Sequence, residues 1–405
     1  MAAPLLVRNR NYRLLFAAGA LTNLGDGMVA LALPWLATLL TRDPMAIATV
    51  AAASRLPWLF FAIPAGVIVD RADRRKLVAQ ADMLRAVLVA AILMLALAGP
   101  VQGAVWFLAG LAFLLGSAEV LRDNAAQTIL PSLVASEDLE AANGQLWSAE
   151  QLTGQFLGPP LAGALIAIGI AVPFGVDLGA LVLAAGLVWM ITLTPQVATP
   201  ARFFAAMAEG IRFMRADPML LRLAVILGLS NFLAMAVLTV QVLFAQEVLG
   251  LTATEYGLVL SVAAAGAMAG SLGAGKMISL FGRQTCLFLA LAVWMAGYAA
   301  IGLCQSGVAM AASLFAIMAA AMLWNVITVS WRQRRIPAPI LGRVNSIYRF
   351  FGWGSMPLGA MAAGLLVAAL EEDWAREVAL RAPFLFAAGL SLGVLVYAVA
   401  RLRLD

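Results

Sequence analysis

The sequence predicts an all-α membrane protein, with twelve transmembrane helices in two pseudo-symmetric six-helix bundles. Three observations predict it. Of its 405 residues 63% are hydrophobic and only 12% charged, with a mean hydropathy of +0.96; a soluble chain carries about a quarter charged residues. The apolar runs are roughly 20 residues or longer, enough for a helix to cross the hydrocarbon core, and they lack the ten-residue alternation of barrel strands. The halves also echo one another. Gly66 to Arg74 aligns with Gly275 to Arg283, with Ser279 and Gly282 in place of Asp70 and Asp73. Pro131, Asn143 and Pro160 to Gly163 find counterparts in Pro337, Asn345 and Pro357 to Ala360.

The spans follow in order at roughly 12–40, 44–69, 78–98, 103–123, 142–170, 174–194, 221–246, 255–277, 284–304, 308–332, 340–370 and 382–402. The first is led in by Arg8, Arg10 and Arg13. This lead is short and basic and runs straight into a full-length span, so no cleavable signal peptide is expected. The second ends in Asp70-Arg71-Ala72-Asp73-Arg74-Arg75-Lys76, a turn too charged for hydrocarbon, from which the third departs. The fourth carries Glu119, Arg122 and Asp123 near its end, and the fifth a string of glycines and prolines from Gly154. After the sixth comes the longest polar connection, dividing the chain into residues 1–194, a linker 195–220 and residues 221–405. Within the linker Phe203, Met207, Ile211 and Met214 recur at helical spacing among Arg202, Arg212 and Arg215, which suits a helix lying on the membrane surface. The eighth span repeats small residues at Gly266, Gly270 and Gly273. Cys286 and Cys304 lie at opposite ends of the ninth, about 27 Å apart along a helix and far beyond disulfide reach.

Charge orients the chain. With the N-terminus inside, the external loops hold Arg42, Arg376 and Arg381, Arg55 is intramembrane, and the remaining Lys and Arg fall on the cytoplasmic side. The expectation is therefore a cytoplasmic (inner) cell membrane protein with both termini cytoplasmic. The net charge of +5 belongs to these loops rather than to a nucleic-acid surface. Enzyme chemistry is not expected either. The chain has no histidine, no Cys-x-x-Cys, no phosphate-binding Gly-x-x-x-x-Gly-Lys-Ser/Thr and no soluble domain to hold ATP. Neither metal nor cofactor is implied, and energy must come from a gradient. With acids but no multi-oxygen sodium site, protons are the coupling ion the sequence favours.

Two motifs carry a family resemblance. The first is Gly66-x-x-x-Asp70-Arg71-x-x-Arg74-Arg75, with Asp73 where glycine is usual; the second is Gly154-x-x-x-Gly158-Pro159-Pro160-Leu161-Ala162-Gly163. In this order, one loop and one helix apart, they resemble the major facilitator superfamily of transporters over essentially the whole length. The second is similar to the motif of that family's exporters. Glu119 to Ala125, Glu209 to Arg215 and Gly342 to Arg349 resemble more narrowly the enterobactin (siderophore) exporter and drug efflux branch. The resemblance implies that the loop motif is a cytoplasmic gate. Asp70 would face unpaired N–H groups at the start of helix 11, and Arg74 would reach Asp123; a merely orienting basic turn is the alternative. It also implies close packing at Gly154, Gly158 and Gly163, with Pro159 and Pro160 bending helix 5. Gly266, Gly270 and Gly273 of helix 8 are the expected facing surface.

Intramembrane charges cost about 2.5–3.5 kcal/mol each, which singles out Asp26 at the middle of helix 1 and Glu119 in helix 4 as proton-coupling candidates. Arg55 lies at matching depth and is an available ion-pair partner for Asp26. Glu119 could instead pair with Arg122, and Glu150 sits on the glycine face of helix 5. The family's cavity is lined by helices 1, 4, 7 and 10, where Asn23, Asn231, Gln241, Trp324 and Asn325 are the substrate-contact candidates, a wall that suits amphipathic organic molecules. The expected function is a proton-coupled exporter of siderophores, drugs or metabolites, a monomer whose partners are its small-molecule substrate and membrane lipid. A lysophospholipid or lipid transporter and a non-transporting membrane sensor are the alternatives.

Overall fold

The computed structural model describes residues 5–135, 138–192, 211–336, 344, 347, 348 and 350–403; the side chains at 62, 63, 66, 67, 70, 71, 127, 128, 140, 141 and 333 lie outside the description. Among the described residues the chain is helical, with no strand. The helices are α1 (Arg10–Leu40), α2 (Pro44–Arg71), α3 (Arg74–Ala98) and α4 (Ala104–Ile129). Next come α5 in three consecutive segments (Leu139–Glu150, Gln151–Leu157, Gly158–Ile168), α6 (Val172–Trp189) and α7 (Pro218–Leu243, prolonged by Phe244–Val248). A 51-residue stretch, Ala253–Leu303, breaks at Gly282 into α8 (253–281) and α9 (283–303). It is followed by α10 (Gly307–Arg335), α11 (Met356–Glu371) and α12 (Arg376–Arg401).

Ten stretches are long and apolar enough to cross a membrane. One of them is Ala253–Leu303, which as a straight helix would be about 76 Å long, more than twice the hydrocarbon thickness. Its break therefore makes two spans, and the segmented α5 adds another, consistent with twelve. At the break Gly282 adopts φ 78°, ψ 157°, a conformation that glycine takes at no steric cost. The matching break between α2 and α3 is managed differently: the Asp73 carboxylate accepts from the Lys76 backbone N–H at 3.2 Å and caps α3. The departure from glycine at position 73 thus has a local reason, an N-cap worth about 1 kcal/mol. Similar caps start α1 at Asn9, α7 at Asp217 and α10 at Ser306.

The chain divides into two compact units. The first comprises Met1–Arg42, Ala53–Pro200 and Thr252–Leu258; the second comprises Asp43–Ala52, Ala201–Leu251 and Val259–Asp405. In the first, α3 packs on α4 and α6, and α1 packs on α5 and α6. Tyr12, Leu15, Val78, Ile129 and Val188 form its apolar core at one end. The buried Tyr12 hydroxyl is satisfied by the Ala142 carbonyl at 3.1 Å and by Gln145 Oε1 at 2.9 Å. In the second, α7 packs on α11 and α12. Arg376 at the start of α12 ties the end of α7 through Glu247 at 2.8 Å and also pairs with Glu371 of α11. Many large apolar side chains point outward, among them Met94, Phe107, Leu272 and Val396, as a lipid-facing surface requires. Of the expected interfacial helix, residues 211–216 are helical, while Phe203 and Met207 lie outside the described residues.

Candidate functional site: a buried carboxylate–guanidinium network

Four helices of the first unit each bring ionisable groups into its interior. On α3, Asp82 and Arg85 stand one turn apart, fully buried and 2% exposed respectively, with Asp82 Oδ1 3.6 Å from Arg85 Nη1. From α4, Arg122 reaches the same Asp82 oxygen at 3.5 Å through Nε, its neighbour Asp123 at 3.1 Å, and the Thr22 hydroxyl of α1 at 2.7 Å. From α1, Asp26 accepts a direct hydrogen bond from Arg85 Nη2. From α6, Asp177 is buried against Gly25, so close that a Cβ on that glycine would fall 1.8 Å from Asp177 Oδ1. The result is a chain of alternating charge, Asp123–Arg122–Asp82–Arg85–Asp26, with Asp177 beside its far end. Of the acids bonded or ion-paired to Arg85, Asp26 is reachable and Asp82 is not: their side chains are 35% and 0% exposed.

Glu119 and Arg55 flank this network. A Cβ on Gly116 of α4 would lie 2.6 Å from the Ser54 carbonyl of α2, and that close crossing brings Arg55 within electrostatic range of Glu119 one turn further on. The expected pairing of Asp26 with Arg55 is therefore corrected. Asp26 is held by Arg85, and Glu119 lies within electrostatic range of both Arg85 and Arg55. Nor is Arg122 the private partner of Glu119, since its contacts run to Asp82, Asp123 and Thr22. Of the acids in this interior, Asp82 and Asp177 were not anticipated from the sequence, and neither was Arg85. Their signal was available, because a charge within an apolar span is expensive wherever it falls.

The expected gate is only partly in view. The side chains of Gly66, Asp70 and Arg71 lie outside the described residues. Asp123 takes part in the buried network, while Arg74 and Arg75 open α3. Arg75 donates to the Ile191 carbonyl at 3.0 Å and lies 5.7 Å from the Trp189 ring centre, so it ties down the end of α6.

The glycine string of α5 packs closely, but against α1. A Cβ on Gly27 would lie 2.0 Å from the Gly154 carbonyl oxygen, and one on Gly158 2.6 Å from the Gly27 Cα. Gly163 instead meets Ala253 and Thr254, whose hydroxyl donates to the Gly163 carbonyl at 3.1 Å. Pro159 and Pro160 meet Gly257. Helix α8 is therefore the neighbour expected of α5, but it meets α5 through Ala253, Thr254 and Gly257 and not through Gly266, Gly270 and Gly273. Gly266 and Gly270 receive the backbone of Phe315 and Ala319 of α10, and Gly273 faces open space. The bend expected at the prolines is preceded by a π-helical turn, Gln151–Leu157, a feature common at functional positions in helices.

Of the cavity candidates, Asn23 sits on α1 with its carbonyl against Gly154. Asn231 is engaged by its own unit, donating to the Gly352 carbonyl at 3.0 Å. Trp324 is buried on Trp294 with ring centres 5.7 Å apart, Gln241 is buried, and Asn325 is exposed. The sequence did not mark a groove of about 600 Å³ between α1 and α5, lined by Phe16, Ala20, Gln145, Ser148, Leu152 and Thr153 among others. The groove is open, and its surface is mostly apolar.

An all-helical membrane chain with ten spanning stretches, consistent with twelve helices, and a match to a transporter family along nearly its whole length make this a membrane transporter of the major facilitator type, not an enzyme. The chain belongs to the transmembrane secretion effector family, whose model matches residues 2–403. It is 29% identical over 413 residues to the multidrug efflux pump Tap of Mycolicibacterium fortuitum, covering 96% of each chain. To macrolide efflux protein A of Streptococcus pyogenes it is 24% identical over 375 residues, covering 89% of this chain and 88% of that protein. In fold it is similar to the crystal structure of the nucleoside transporter NupG, with a TM-score of 0.72 at 14% identity, covering 98% and 100% of the two chains.

Proposed function

We propose that this efflux transporter is a proton-coupled antiporter that exports amphipathic, drug-like organic molecules across the cell membrane by alternating access, with both termini in the cytoplasm. The observation that carries the reading is the state of Asp26. It is a partly exposed carboxylate in the membrane interior, bonded to the buried Arg85, which is also shared with Asp82. Protonating Asp26 from the exposed side neutralises it and releases Arg85 to its other acids; deprotonation restores the pair. Glu119, within electrostatic range of Arg85 and Arg55, is the second candidate site. The network holds more acids than bases, so it has room for a transported cation. A proton needs no coordination shell.

The substrate class rests on two supports. The groove between α1 and α5 is large enough for a drug-sized molecule, and the relatives are named for multidrug and macrolide efflux. The test is efflux from proteoliposomes of a dye, a macrolide, a catecholate siderophore and a labelled lysophospholipid, each with and without an uncoupler. Uncoupler-sensitive export of the dye or macrolide is expected. Export confined to the siderophore or lysophospholipid would refute the substrate class, and export indifferent to the uncoupler would refute the coupling.

A further inference from the structure

We infer that Asp177 is a second proton-holding carboxylate of the first unit, which exchanges Arg85 with Asp26 during the transport cycle. This rests on the proton coupling proposed above and adds the group that stores the proton while Asp26 is ion-paired.

Three observations support it. Asp177 is 1% exposed, and its Oδ1 has no hydrogen-bond partner among the described residues. An ionised carboxylate in that condition carries a large desolvation cost, while a neutral carboxylic acid does not. Second, Arg85 is equipped to serve more than one acid. Its Nη2 is bonded to Asp26, while Nε and Nη1 have no hydrogen-bond partner among the described residues. Third, Asp177 abuts Gly25, the residue immediately before Asp26, and only the absence of a side chain at 25 admits it. Glycine here brings the two acids to one place on α1.

The groups that face Asp177 come from α1 and α3; the third element packed on α6, the Gly158–Ile168 segment of α5, carries no charged or titratable side chain. Those groups are Asp26 from α1, and Asp82 and Arg85 from α3. With Asp26 ionised and bonded to Arg85, Asp177 holds the proton. In the exchange the O–H bond of Asp177 breaks and an O–H bond forms on Asp26, while the Arg85 guanidinium passes from Asp26 to the new Asp177 carboxylate. One proton and one cationic partner trade places, and the charge of the group is unchanged. Asp177 lies five residues after the start of α6, and Asp123 six residues before the end of α4. These ends face opposite sides of the membrane in an up-down bundle, so Asp177 extends the network away from Asp123.

The experiment is infrared difference spectroscopy on the purified full-length protein in lipid nanodiscs at neutral pH, reading the carbonyl stretch of un-ionised carboxylic acids. Wild type should show such a band. Asp177→Asn should remove the component that Asp177 contributes, Asp177→Glu should retain it at a shifted frequency, and Asp26→Asn should perturb it. Gly25→Ala keeps every charge and presses on the Asp177 oxygen, so it should shift the band even if Asp177→Asn folds poorly. A wild-type band in Asp177→Asn, or an unshifted band in Gly25→Ala, would overturn the inference. The band reads Asp177 itself, whereas uncoupler-insensitive export by wild type would refute the coupling, so the two failures are distinguishable.

Discussion

Replacing Arg85 by methionine removes a 2%-exposed guanidinium and leaves Asp26 without the partner that holds it. Asp82 is less affected, because Arg122 remains 3.5 Å away. Breaking a buried pair by deleting one member costs about 3–5 kcal/mol. Asp26 can escape by taking up a proton, which at pH 7 costs an ordinary carboxylate of pKa about 3.9 roughly 4 kcal/mol, at 1.36 kcal/mol per unit. Because the Asp26 side chain is 35% exposed, solvent screening reduces either figure, and about 2–3 kcal/mol is expected. The sign with pH follows from the proton. Where the folded variant holds a proton on Asp26 that the unfolded chain has released, the loss grows as pH rises. It therefore shrinks on acidification, by up to about 1.4 kcal/mol per unit toward pH 5. The assay is thermal unfolding in detergent between pH 5 and pH 8, followed by tryptophan fluorescence. A thiol-reactive dye on the buried Cys286 and Cys304 provides a second signal from the other unit. Arg85→Met combined with Asp26→Asn should recover most of the loss. Wild-type stability in Arg85→Met at pH 8, or a second substitution that adds to the loss instead of cancelling it, would refute the reasoning.

Other consequences are simpler to check. Gly27→Ala places a methyl 2.0 Å from a backbone oxygen of α5; overpacking of about 1–3 kcal/mol and loss of transport are expected, whereas Gly273→Ala, in open space, should melt and transport like wild type. Thr22→Val removes the 2.7 Å acceptor of Arg122 and should lower stability by roughly 1.5–3 kcal/mol, read as a lower melting midpoint. Asp73→Ala should cost about 1 kcal/mol through loss of the α3 cap, with Asp73→Asn retaining most of it; equal midpoints for the two variants would argue against the cap.

The spans were legible because their signal is cumulative. Twenty apolar residues have one economical use in a bilayer, and the charged turn at Asp70 to Lys76 separates α2 from α3 without ambiguity. Asp26 was legible for the same reason in reverse, as a charge where charge is costly. Its partner was not. Arg85 lies near enough in sequence to the basic cluster at Arg74 to Lys76 to be counted with the inner-side charges. Only the Asp82/Arg85 spacing of one turn distinguishes it. Glu119 was visible, but its neighbour Arg55 comes from a crossing at Gly116 and Ser54 that no periodicity encodes. The glycines failed differently. Strings in α5 and α8 announce close approach but not which helix approaches, and the structure gives Gly158 to α1 and Gly266 to α10. Asp177 carries the same signal as Asp26, a lone acid in an apolar span; what the sequence does not show is its neighbours in space, Gly25 and Arg85.

The central claim is that export is driven by protons through the Asp26–Arg85 pair, and proton flux tests it most directly. Purified protein in sealed liposomes with an internal pH indicator and an imposed pH gradient should move protons when a transported dye is added, and Asp26→Asn should abolish that flux while still binding the dye. Dye movement that continues undiminished after the pH difference and the voltage are both collapsed, or proton flux of wild-type size in Asp26→Asn, would contradict it.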